Sequence, residues 1–235
     1  MLIPSNRWRI AVLLFIAAAN IVLPQESKPA ASASGRVTNS VTGAPVGRAH
    51  VLLYGGVQRR FGATTGVDGK FTISPLPGGN YTISVDAPGF QPLPLYYDAS
   101  LNRLVLRAGE HKNNLDIPLT PSGAISGRVL DSDGRALQGM ALSVVSIEGV
   151  IEGGFSDPDG SYRISNLPPG KYRVRAEPSS YGNLAPEIRT DGTTEIHYAA
   201  TYYPASLTLQ SAGRIDIPAG TERTGIDIRM VQTPI

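Results

Sequence analysis

The chain repeats its own pattern, and that repetition constrains the fold more than any other feature. Ser34-Gly35-Arg36-Val37 returns as Ser126-Gly127-Arg128-Val129. Residues 67–89, VDGKFTISPLPGGNYTISVDAPG, return as residues 158–180, PDGSYRISNLPPGKYRVRAEPSS. From Asp68 to Asp159 and from Tyr81 to Tyr172 the spacing is 91 residues, so the register holds across the stretch. Further on, Tyr96-Tyr97-Asp98-Ala99-Ser100-Leu101 matches Tyr202-Tyr203-Pro204-Ala205-Ser206-Leu207, and residues 108–119 match 219–230. The spacing has grown to 106 and then 111, so the second copy carries extra residues. Most of them fall between Pro178 and Thr201, and fewer around Gln210 to Ile217. A self-similar chain is a set of repeated structural units. Here they span 34–120 and 121–235, joined at Thr120-Pro121-Ser122-Gly123, a joint too short to give much reach.

Within each unit the hydrophobic period is two. Phe71 and Ile73, then Tyr81, Ile83 and Val85, alternate with Thr72, Ser74, Thr82 and Ser84. Tyr162 and Ile164, then Tyr172, Val174 and Ala176, alternate with Arg163, Ser165, Arg173 and Arg175. One face buries and the other meets water, the pattern of antiparallel strands with one covered face. Val46–Tyr54 and Leu137–Ile147 add strands, and Leu115–Leu119 and Ile226–Met230 close the units. The 26 glycines and 19 prolines supply the turns between strands. About seven short strands per hundred residues, with no helical period after the N-terminal segment, predict two tandem β-sandwiches of Greek-key type.

Residues 1–24 read as a signal segment: Arg7 and Arg9, then 14 largely apolar residues from Ile10 to Leu23, then a polar exit at Pro24-Gln25-Glu26. As a helix that run spans about 21 Å, short of the roughly 30 Å hydrocarbon core, so no membrane span is expected in the mature form. Ala17-Ala18-Ala19 and Ala31-Ser32-Ala33 both satisfy the small-x-small cleavage rule, and residues 25–33 read as a linker. The chain has no cysteine, so an exported form has only its cores to hold it. Without Arg7 and Arg9 the formal charge falls from +2 to 0, which argues against a nucleic-acid partner.

The pattern SGRV…G.PV, then DGKF.I..LP.G.Y, then a closing LDIPL resembles the carboxypeptidase regulatory-like domain. That family is the transthyretin-like β-sandwich appended to zinc carboxypeptidases and found in bacterial exported proteins. The resemblance covers both units and implies sandwiches of seven or so strands with a non-catalytic accessory role.

Candidate sites are few. Asp131-Ser132-Asp133-Gly134 and Asp157-Pro158-Asp159-Gly160 open like calcium loops, but position 12 of each falls on Leu142 and Pro168, which carry no ligating oxygen. They read instead as hairpin turns in which glycine supplies a positive φ. Leu76-Pro77-Gly78-Gly79 and Leu167-Pro168-Pro169-Gly170 read as turns that set Tyr81 and Tyr172 inward. His50, His111 and His197 lack metal-ligand spacing, and no G-x-S-x-G nucleophile elbow is present. No cofactor or metal is expected. Arg163, Lys171, Arg173 and Arg175 are expected to share the outward face of one hairpin, a basic stripe absent from unit one that suits an acidic partner. The same stripe also suits simple edge protection. Tyr198, Tyr202 and Tyr203, with Tyr181 nearby, are candidates for sugar stacking or for core packing. The expected function is an exported, non-enzymatic binding or structural module at the bacterial envelope, engaging a protein. The alternative is a starch-binding-like carbohydrate module engaging an envelope polysaccharide.

Overall fold

Alternating apolar side chains build seven strands in unit one: β1 (Ala31–Asn39), β2 (His50–Gly55), β3 (Arg59–Thr64), β4 (Lys70–Leu76), β5 (Gly79–Asp86), β6 (Arg103–Leu106) and β7 (His111–Leu119). The computed structural model describes residues 29–55, 59–93, 102–146, 149–179 and 196–234. The expected signal segment 1–24, linker residues 25–28, the Tyr96-Tyr97 pair, Tyr181 and most of the extra residues of unit two lie outside the described residues. Among the described residues there is no helix, and none long and apolar enough to cross a membrane.

Unit one is a sandwich of a β4-β1-β7 sheet and a β3-β2-β5-β6 sheet. Val37, Phe71, Ile73, Ile117 and Leu119 from the first close against Val51, Leu53, Tyr81, Val85 and Leu104 from the second. Each large apolar side chain so buried contributes about 1.5–3 kcal/mol. β1 starts earlier than expected: Ala31 and Ala33 are fully buried, paired with Leu76 and Ile73, so the end of the expected linker is sheet.

Unit two repeats the plan with β8 (Gly123–Leu130), β9 (Met140–Ser146), β10 (Gly149–Phe155), β11 (Ser161–Leu167) and β12 (Gly170–Pro178). Its later part is more broken: β13 (Ile196–Tyr198), β14 (Thr201–Tyr202), β15 (Ile215–Ile217), β16 (Glu222–Arg223), β17 (Ile228–Arg229) and β18 (Gln232–Pro234). One sheet runs β11-β8-β16, with β17 also on β8; the other runs β10-β9-β12-β14, with β15 also on β12. Ile125, Val129, Leu142, Val144, Tyr162, Ile164, Tyr172, Val174, Ile217 and Ile228 form a second, separate core.

Two expectations need correction. The closing strands are parallel to the first strands, β7 on β1 and β16–β17 on β8, because the chain crosses to the other sheet before returning. The repeated turns are not hairpins. β3 and β4 lie in different sheets, as do β4 and β5, β10 and β11, and β11 and β12, so the Asp-Gly and Leu-Pro turns arch across the core.

Those arches explain why the repeated residues recur. Gly69 (φ 74°) and Gly160 (φ 77°) occupy the left-handed region, and their carbonyls accept the N–H of Val37 and Val129, pinning each arch to the first strand. Tyr81 and Tyr172, buried beyond the second arch, donate to the carbonyls of Pro77 (2.5 Å) and Pro168 (2.6 Å). A buried hydroxyl closes each core: Thr65 Oγ1 donates to Val46 O and accepts from Ala49 N, as Ser156 Oγ does with Leu137 O and Met140 N. Gly35 and Gly127, the repeated Ser-Gly, let the closing strand pass. A Cβ there would sit 2.0 Å from Leu115 O and 2.2 Å from Ile226 O.

At the joint, Gln91 N donates to Thr120 O and Ser122 N to Gly89 O. The Gln91 amide donates to Ser122 Oγ (2.8 Å) and reaches Asn166 O in unit two (3.1 Å).

Candidate functional site

The residues that invite a chemical reading are mostly occupied by the fold. Asp131 Oδ1 accepts the N–H of Asp133 and of Arg135, closing its own turn. Asp159 Oδ1 accepts the Ser161 hydroxyl (2.6 Å) and the Ser161 N–H (3.0 Å), which hold its carboxyl below the usual range. In unit one, Asp68 Oδ1 accepts the N–H of Lys70 in the same way. These are carboxylates turned onto their own backbone. Among the described residues, no three His, Asp or Glu side chains are grouped to hold a metal ion. His50, His111 and His197 are exposed and stand on separate strands; His111 Nδ1 lies 2.8 Å from Ser32 Oγ and His197 Nε2 3.4 Å from Thr233 Oγ1.

The expected basic stripe divides. Arg163 lies on β11 and the other three cations on β12, in the opposite sheet, so the four do not share a face. Arg163 clamps Glu222 across β8, with Nε 3.1 Å from Oε1 and Nη2 3.1 Å from Oε2, while Ser126 Oγ donates to the same carboxylate at 2.9 Å. The Arg163 guanidinium, then the Ser126 hydroxyl, hold the Glu222 carboxyl below its ordinary value. Arg175 pairs with Glu177 on its own strand.

Lys171 and Arg173 remain together, and the structure adds a third cation. With Arg214 they line a cleft of about 500 Å³ whose other walls are Val145, Ser146, Tyr172 and Leu209. Outward placement follows from alternation, because Tyr172, Val174 and Ala176 fill the core. Arg173 stands directly opposite Val145 on β9, and Val145 directly opposite Val150 on β10. The three therefore form one outward row across the sheet. Arg173 Nε is closed off from solvent and has no hydrogen-bond partner among the described residues. An unsatisfied buried donor of this kind costs about 1–3 kcal/mol, more on a charged group. Neither Lys171, Arg173 nor Arg214 has an ion-pair partner among the described residues; Asp216 faces Lys171 across the β12–β15 pair. Sequence reasoning missed Arg214, although the 111-residue spacing aligns it with Arg103, which stands opposite Thr82 on β5.

The neighbouring edge is largely apolar. Among the described residues β10 pairs only with β9, and it exposes Val150 (60%), Phe155 (56%) and Ile151 (37%). A bulge between Glu152 and Gly154 interrupts its pairing, leaving Gly149–Glu152 in straight register. The candidate tyrosines do not assemble a common surface. Tyr198 and Tyr203 pack against the unit-two core, while Tyr202 is half-buried in β14 opposite Arg175.

The carboxypeptidase regulatory-like domain family matches residues 32–120 and again residues 124–201, so β15–β17, which complete the second sandwich, lie beyond the match. No curated protein matches the chain. Similar solved structures include the TIE protein of Bacillus anthracis, at 16% identity over 86% of this chain with a TM-score of 0.35. This chain spans 34% of that one. The minor pilin of the Gram-positive pathogen Streptococcus agalactiae shares 17% identity over 87% of this chain and 98% of its own, with a TM-score of 0.41. The shaft pilin SpaA of Lactobacillus rhamnosus GG shares 10% over 89% and 99%, with a TM-score of 0.36. Matched over all of the first sandwich and the larger part of the second, the chain belongs to the carboxypeptidase regulatory-like domain family.

Proposed function

We propose that this chain is an exported, non-enzymatic module of the bacterial envelope that docks another protein along the β10 edge of unit two. The observation that carries the reading is the edge strand itself. Soluble sandwiches blunt such edges with charge, because an open ladder beside apolar side chains pairs with other chains. Here three exposed β10 side chains, Val150, Ile151 and Phe155, are apolar, and Glu152 is the one charged residue in the strand. Val150, Ile151 and Glu152 keep an unbroken register with β9, a stretch of strand along which a partner strand can add. The non-enzymatic part rests on occupation: Asp68, Asp131 and Asp159 close turns, Thr65 and Ser156 close cores, and the repeated glycines admit backbones.

A photo-crosslinking amino acid at position 150 tests it. In cells, the label at 150 is expected to trap one protein of defined mass. The same label at Val67, 95% exposed on a unit-one arch, is expected to trap none. Equal trapping at both positions, or none at 150, contradicts the reading.

A further inference from the structure

The apolar edge and the basic cleft are parts of one surface. The Val150–Val145–Arg173 row runs from the β10 edge into the cleft lined by Lys171, Arg173 and Arg214. We propose that this face binds an acidic, extended peptide segment of a partner, with Lys171, Arg173 and Arg214 holding its carboxylates and Val145, Val150 and Leu209 its apolar side chains. The proposal rests on the protein-docking reading and names the chemistry of the partner.

Three observations support it. The cations converge on a cleft of about 500 Å³ with no ion-pair partner among the described residues. The Arg173 guanidinium, whose planar fork matches a carboxylate, keeps one donor unsatisfied behind that cleft. Unit one carries Asn80 and Thr82 where unit two has Lys171 and Arg173, and keeps a cation, Arg103, at the place of Arg214, so the charge on β12 is not a requirement of the shared fold. A peptide fits better than a sugar chain. The cleft walls Val145 and Leu209 are aliphatic, and the Tyr172 ring is turned into the core with its hydroxyl on Pro168 O. Among the described residues, no aromatic face is left in the cleft for a sugar to stack on.

The test uses the full chain and a fluorescent peptide of alternating Val and Glu, with a Val and Gln peptide as control, read by anisotropy. The Glu peptide is expected to bind and to weaken with salt. Its Kd is expected to rise roughly tenfold or more in Arg173→Gln and in the Lys171→Gln/Arg214→Gln double variant. Arg163→Gln, in the opposite sheet, is expected to bind as the parent does. Equal binding of the Gln peptide, or unchanged binding by both cleft variants with intact circular dichroism, overturns the proposal. Binding of polygalacturonate or of phosphatidylglycerol vesicles that the cleft variants abolish, with the Glu peptide inert, also overturns it, in favour of a glycan or a membrane. The cross-link separates the two readings. A cross-link at 150 that survives Arg173→Gln and the double variant removes the acidic-segment site and leaves the docking edge. Loss of the cross-link with peptide binding intact leaves the site and removes the edge.

Discussion

β5 and β12 hold the same place in the two sandwiches, and they differ in chemical character on one side only. Inward, Tyr81 and Val85 answer to Tyr172 and Ala176, all buried, and both tyrosines hydrogen-bond the proline carbonyl four residues back. Outward, Asn80, Thr82 and Ser84 answer to Lys171, Arg173 and Arg175. What the copies share is therefore what the fold needs, and what separates them lies on a surface the fold does not need.

The largest effect tests the shared part. Gly35→Ala and Gly127→Ala each push a Cβ into the backbone of the closing strand, and overpacking at fixed backbone is expected to destabilise each unit by about 3 kcal/mol or more. Thermal unfolding checks this, and tolerance at one glycine alone would break the equivalence of the two closures. The buried hydroxyls come next. Thr65→Val and Ser156→Ala each strand a backbone N–H and a carbonyl inside the core, a loss of about 1–3 kcal/mol by denaturant titration. Similar losses in the two units support one design, and a loss in unit one alone would separate them.

The smallest effect belongs to unit two. Its Arg163–Glu222 clamp lowers the carboxyl below the ordinary value of 4.5, so its contribution is present above that pH and fades as pH falls through the lowered value. The pair is exposed and screened, so the contribution stays under about 1 kcal/mol. Arg163→Gln is expected to remove this part of the acid sensitivity and nothing else.

Much of this fold is legible before any coordinates. Period two marks the strands, the 91-residue spacing aligns the arches, and the 111-residue spacing aligns the closing segments Leu115–Leu119 and Ile226–Met230. Sheet membership is not legible. Two strands facing each other across a core alternate as two strands paired side by side do, and so Arg163 read as a neighbour of Arg173. The parallel closing strands escape for the same reason. The role of Gly35 and Gly127 is hidden because close approach depends on a strand about 80 to 100 residues away in sequence, although their recurrence at the same strand position pointed to it. Arg214 reaches the cleft only because β15 returns to β12, a pairing that the interrupted spacing around Gln210 obscured.

One exchange tests the division between shared and unshared positions most directly: Lys171→Asn, Arg173→Thr and Arg175→Ser together, which give unit two the outward face of unit one. Melting temperature and acidic-peptide affinity are measured on the same preparation. The account predicts a melting temperature that does not fall, with peptide binding lost. A large fall in melting temperature, or a folded triple variant that still binds the peptide, would contradict it.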